Sequence, residues 1–230
     1  MGCTTLLLLW DIDGTLLKGK GAGRRAMDDA FLEVFGVADA FAGMHMAGGL
    51  DLHFVHTLFA RRNIDLSRAP EFLEAYYQAL PKRLTDCGAE LAPHVVETLE
   101  ALEARPGIFQ ALGTGNLERG ARLKLEPFGL NRFFPVGGFC VTLTERYKVL
   151  EQGVANASRY YQKEFAAGDV VVIGDTVRDI EAARQIGAKV VAVSTGGNTP
   201  EELAQLKPDA LIPNLNGFLQ VLDSLSQTKE

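Results

Sequence analysis

Asp11-Ile12-Asp13-Gly14-Thr15-Leu16 sets two carboxylates two positions apart, directly after the apolar run Leu6-Leu7-Leu8-Leu9-Trp10. Residues two apart on an extended chain point the same way, so both acids can face one site. Gly14 then lets the backbone turn away sharply. Neighbouring carboxylates repel, and both ionise readily only beside a cation. Asp-x-Asp also occurs in ordinary turns, so the pair signals chemistry only in company. A calcium loop counted from Asp11 would need glycine where Leu16 stands and glutamate where Ala22 stands.

That company is present. Leu112-Gly113-Thr114-Gly115-Asn116 combines small residues with a hydroxyl. Exposed backbone amides at the start of a helix, with Thr114 beside them, make a cradle for phosphate oxygens. The plainer reading is a strand-to-helix turn with Asn116 as the N-cap. Val171-Val172-Ile173-Gly174-Asp175-Thr176-Val177-Arg178-Asp179 supplies two more acids, four apart, on one face of an opening helical turn. Hard oxygen ligands so spaced suit Mg²⁺. Asp175 as an N-cap above an acidic first turn is the plainer alternative.

The elements that must position these residues follow from periodicity. A continuous apolar strand is expected over 6–12, buried on both faces. Helical spacing then runs over 24–35, 52–61, 70–84 and 95–104, with no convincing strand among them. From there strands (108–112, 136–141, 170–173, 189–193, 210–212) alternate with helices (117–128, 146–161, 176–186, 200–206, 218–225). Such alternation predicts an α/β chain with a doubly wound parallel sheet. The expected division is a core of 1–16 with 91–230, interrupted by an all-helical insert over 17–90. Each acidic or hydroxyl cluster then falls at the carboxyl end of a strand, where open parallel sheets bind ligands.

The 230 residues are 47% hydrophobic and 23% charged, with a formal net charge of −6. That balance fits a soluble globular chain and lacks the basic stripe of a nucleic-acid binder. Cys3, Cys87 and Cys140 are odd in number and widely spaced, as expected of a reduced, cytoplasmic protein. The run ending at Trp10 is too short to span a membrane, and Asp11 closes it. Leu6 occupies the position where a myristoylated amino terminus needs serine or threonine.

On the three clusters, and over nearly the whole chain, the sequence resembles the haloacid dehalogenase superfamily, in the branch of phosphoglycolate-phosphatase-like phosphohydrolases. The resemblance implies a Rossmann-type core with a helical cap domain inserted after the first strand. It also implies Mg²⁺-dependent hydrolysis of a small phosphorylated metabolite through an aspartyl-phosphate. Asp11 would be the nucleophile and Asp13 the general acid and base. Asp11, the backbone carbonyl of Asp13, and Asp175 would hold the metal, with Asp179 orienting its water or a ligand. Thr114 and the amides of Gly115 and Asn116 would hold the phosphate, together with a cation. The family usually places Lys-Pro for that purpose between the second and third clusters. Here Arg146 and Lys148 are the nearest candidates, and Lys124 falls inside a predicted helix.

A dehalogenase would lack the carboxylate at position 13. A phosphosugar mutase would keep it and stands as the alternative reading. A receiver module, phosphorylated without turnover, would be shorter and uncapped, and a nucleotide-binding oxidoreductase would follow its first strand with GxGxxG. His53 and His56, Arg24 and Arg25, and Met44 and Met46 read as helix faces or packing, and Gly196-Gly197-Asn198 as a turn. Gly48-Gly49-Leu50-Asp51 sits where relatives carry a polar cap motif, with Leu50 in place of the hydroxyl residue.

Overall fold

The computed structural model describes residues 5–142 and 144–227. The amino-terminal tetrapeptide, with Cys3 and the lipidation reading attached to it, lies outside them. In chain order, β1 (Leu6–Trp10) leads to a short strand β2 (Leu17–Lys18), helices α1 (Ala22–Phe35), α2 (Asp51–Arg61) and α3 (Ala69–Asp86), and a second short strand β3 (Glu90–Leu91). Then come α4 (Val95–Glu103), β4 (Ile108–Gly113), α5 (Glu118–Leu125), β5 (Gly137–Gly138), α6 (Arg146–Tyr161), β6 (Val170–Gly174), α7 (Val177–Gln185), β7 (Lys189–Val193), α8 (Pro200–Gln205), β8 (Ala210–Ile212) and α9 (Phe218–Gln227).

Six strands form one parallel sheet in the order β5-β4-β1-β6-β7-β8. The first strand is therefore interior, and the chain builds outward on one side of it before crossing to the other. The unbroken apolar sequence of β1 follows from burial on both faces. Leu6, Leu8 and Trp10 pack with α4, α5 and α9 through Val95, Leu99, Ala121, Leu125 and Phe218. Leu7 and Leu9 pack with α6, α7 and α8 through Leu150, Ala157, Ile180 and Leu203.

The insert has its own core, in which Phe31, Phe41, Phe59 and Phe72 meet mostly edge to face. It is not wholly helical, as its spacing predicts. β2 and β3 pair antiparallel, Leu17 with Leu91 and Lys18 with Glu90, and join the two ends of the insert. Two-residue strands are too short for a period-2 pattern to reveal. Among the described residues, no helix is long and apolar enough to cross a membrane.

Two other expectations change. The helix over 117–128 ends at Leu125 and continues as a 3₁₀ turn, Glu126–Phe128, containing Pro127. The strand over 136–141 shrinks to two glycines. Beyond them the Phe139 amide turns to the Gln152 side chain and the Cys140 amide to the Asn116 carbonyl. Gly138 lets α6 lie against the sheet. A Cβ at Gly138 would collide with the Val149 carbonyl and lie 2.7 Å from the Gly153 nitrogen. That close approach sets where the first residue of α6, Arg146, enters the structure. Gly138→Ala should therefore lower stability by roughly 1–3 kcal/mol or more, measured by urea denaturation; an unchanged midpoint would mean that α6 is not pinned there.

Candidate active site

β4, β1 and β6 are neighbours, so their carboxyl ends bring the three clusters together. A cavity of about 270 Å³ lies between these ends and the insert. Asp11, Asp13, Gly115, Asn116 and Asp175 line it, with Lys124 and Arg146. The insert contributes Lys20, Arg24, Met46, Asp51 and Tyr76. Arg24 and Met46, which read as a surface face and as packing, thus border the cavity, and so does Gly197.

Arg146 is the organising cation. Its side chain is 9% exposed, and Nη2 lies 2.9 Å from Asp11 Oδ1 and 2.6 Å from Asp179 Oδ1. The same nitrogen donates to the Gly113 carbonyl at 3.3 Å. Asp179 is held from its other side by Thr176, whose amide and hydroxyl donate to Oδ2 at 3.1 and 2.6 Å. Thr176, not Asp175, caps α7, and with Asp179 it forms a capping box. Lys148, two residues further along α6, is exposed and does not line the cavity; its ammonium lies 5.9 Å from the Tyr147 ring centroid.

The other half of the site is a network around Asp13. Lys124 is buried on α5, with Nζ 2.6 Å from Asp13 Oδ2 and 2.6 Å from Asn116 Oδ1. Asn116 Nδ2 donates to Asp13 Oδ2 at 2.8 Å and to Thr114 Oγ1 at 2.7 Å. Thr114 is fully buried behind Gly115 and Asn116 and does not itself line the cavity. Enclosure works against the Asp13 charge, but the Lys124 ammonium and the hydrogen bonds from Lys124 and Asn116 win, and the carboxyl sits below its ordinary value.

Asp11, Asp175 and Asp179 present carboxylate oxygens all within 4.8 Å of one another. Burial first, then the charges of Asp179 and Asp13 against the pull of Arg146, push Asp11 up to about 6. Burial and the charges of Asp179 and Asp11 raise Asp175 well above the carboxylate range. Buried hard oxygens of like charge packed this closely fit a Mg²⁺ ion, which would remove the repulsion. Asp11 and Asp175 open on the cavity, whereas Asp179 stands behind Arg146. The Asp13 carboxylate is turned to Lys124, outside this group. Two glycines clear space for Asp175: a Cβ at Gly14, whose φ is +87°, or at Gly196 would collide with its carboxylate.

The insert reaches into the phosphate cradle through Asp51. Its amide donates to the Gly115 carbonyl at 2.9 Å, and its Oδ2 accepts from the Leu117 amide at 3.0 Å. Asp51 thus satisfies the start of α5, the role the sequence offers to Asn116, whose side chain is committed to Asp13, Thr114 and Lys124. Burial pushes the Asp51 carboxyl up to about 6, against the pull of Lys124 and the Leu117 amide.

A family model described as haloacid dehalogenase-like hydrolase matches residues 6–187. A phosphoglycolate phosphatase of Synechococcus elongatus is 30% identical over 154 residues, 64% of this chain and 68% of that one. A phosphoglycolate phosphatase of Agrobacterium fabrum is 27% identical over 227 residues, 94% of this chain and 91% of its own. Among solved structures, CbbY of Rhodobacter sphaeroides in complex with phosphate superimposes with a TM-score of 0.72 at 19% identity, covering 95% of this chain and 99% of that one. A predicted phosphoglycolate phosphatase of Haemophilus somnus gives 0.66 at 22% identity, covering 96% and 99%.

Removing Arg146 strands two buried carboxylates. Arg146→Met should cost roughly 3–5 kcal/mol in metal-free protein, read by urea denaturation; a loss no larger than that of a surface ion pair would contradict this role. Asp51 makes a pH-dependent difference whose sign is fixed. Its carboxyl binds a proton more tightly in the folded chain (about 6) than in the unfolded one (3.8). Its contribution to stability therefore grows as pH falls from above 6 toward 4, by at most about 3 kcal/mol. Asp51→Asn keeps an acceptor for Leu117 and should be the more stable protein at pH 7.5, losing that advantage at pH 4.5. A variant less stable at pH 7.5 would mean that attraction to Lys124 outweighs desolvation.

Proposed function

The chain belongs to the haloacid dehalogenase-like hydrolases and is a phosphatase of that family; we propose that it hydrolyses small phosphomonoesters with Mg²⁺, through an aspartyl-phosphate on Asp11. One observation carries the reading. Asp11, at the end of β1, faces the cavity between a cation with two acids on one side and a second carboxylate, Asp13, on the other.

Each residue then has a task. Asp11 attacks phosphorus in line, and the bond to the ester oxygen breaks. Asp13 gives its proton to the departing alkoxide, then takes one from the water that cleaves the acyl phosphate. In the resting site Lys124 holds Asp13 ionised. A dianionic ester placed beside Asp13 counters that pull and favours the protonated acid. Arg146 keeps Asp11 ionised and directs its guanidinium at the equatorial oxygens; its buried Nε has no partner among the described residues. The Gly115 and Asn116 amides take the remaining oxygens, with Thr114 fixing Asn116. Asp11 and Asp175, with Asp179 behind them, would hold Mg²⁺, which would supply positive charge to offset that of the carboxylates and the phosphoryl group. Residues 17–90 act as a cap that excludes bulk water.

Phosphoglycolate is the first ester to try, because the relatives are named for it. Phosphate release from a panel of small phosphomonoesters should require Mg²⁺ and fall at least about 10³-fold in Asp11→Asn. No metal-dependent release from any of them would overturn the hydrolase reading. An isomerised hexose phosphate in place of free phosphate would point to the mutase.

A further inference from the structure

Tyr76 projects from α3 of the insert into the cavity wall, is fully buried, and its hydroxyl has no hydrogen-bond partner among the described residues. Leaving a buried hydroxyl unpaired is costly, so native sites seldom keep one without a use. Its position indicates the use. The phenol end lies against α5: a Cβ on Gly120 would sit 3.3 Å from Tyr76 Oη. Gly120 and Lys124 are four apart, hence on one face of that helix. Lys124 in turn grips Asp13, the acid that serves the ester oxygen. The phosphate group is assigned to Asp11, Gly115 and Arg146, and Arg146 enters from α6, which packs on the opposite face of the sheet from α5.

Resting on the hydrolase reading above, we propose that Tyr76 is a specificity-determining residue: its hydroxyl donates to an oxygen of the substrate's alcohol part, beyond the ester oxygen. The preferred esters then have a short alcohol carrying a carboxylate or hydroxyl acceptor, and a bare alkyl phosphate leaves Oη unmatched. Met27, Met46 and Phe54 line the same cavity without a donor, and the two insert cations that line it, Lys20 and Arg24, are paired with Glu90 and Asp28. Burial, then the charges of Asp51 and Asp13, raise the phenol well above its ordinary range, so it remains a donor throughout the working pH range.

The test is Tyr76→Phe in the full chain, with three probes: phosphoglycolate, glycerol phosphate and ethyl phosphate. The wild type should prefer the first, the second or both over ethyl phosphate in kcat/KM. In the variant that ratio should fall about tenfold, mainly through KM. Which of the two loses more identifies the acceptor as carboxylate or hydroxyl. The unliganded variant should melt no lower than wild type, because no hydrogen bond in the protein is lost. An unchanged ratio, or a lower melting temperature with equal losses on all three esters, would assign Tyr76 a structural role and overturn the proposal. Binding separates this from failure of the hydrolase reading. Even without turnover, phosphoglycolate or glycerol phosphate should raise the wild-type melting temperature more than ethyl phosphate does, and the variant should lose that difference. No such difference in the wild type would also overturn the proposal.

Discussion

Buried carboxylates of like charge cannot share a small volume unless something positive stands among them, and the site is arranged around that constraint. Arg146 answers it with one nitrogen shared between Asp11 and Asp179. Other features serve that contact. α6 lies close enough to the sheet to deliver Arg146 because glycine occupies position 138. Asp179 is pre-oriented because it closes the capping box of α7. A guanidinium suits the place better than an ammonium. It is charged at any accessible pH and bonds several oxygens from a rigid plane.

The core and the insert are joined by chemistry as well as by packing. Asp51 completes the first turn of α5, and α5 carries Lys124, which binds Asp13. A side chain from the insert therefore sits two contacts from the Asp13 carboxylate. Arg119 of α5 pairs with Glu74 of α3 and lies over the Tyr77 ring, adding exposed polar contacts along the same seam.

Sequence and structure agree most closely where local pattern and tertiary environment ask for the same thing. The helix over 146–161 and the strands over 189–193 and 210–212 have the same bounds in both. Asp11, Asp13 and Asp175 were legible because each follows an apolar run that can only be a buried strand. Phe139-Cys140-Val141 misleads because its apolar residues pack apart: Cys140 joins Leu50 and Val149, while Val141 is 52% exposed. Lys124 stands 111 positions from Asp13, and Asp51 66 from Leu117. Contacts of that range leave no trace in spacing. Lys124 comes into view only because the family places a lysine between the second and third clusters, and its place inside a helix sets it behind Arg146 and Lys148.

The β2–β3 ribbon fastens both ends of the insert at one place, so a swing of the insert against the sheet would pivot there. The axle is short and geared to the site. Leu17 of the ribbon accepts from the Gly14 amide at 2.8 Å and bridges to Asp13, and Leu16 accepts from Ala92 at 2.9 Å. A displacement of the insert would therefore be carried to the backbone of Asp13, through a ribbon only two residues wide on each strand.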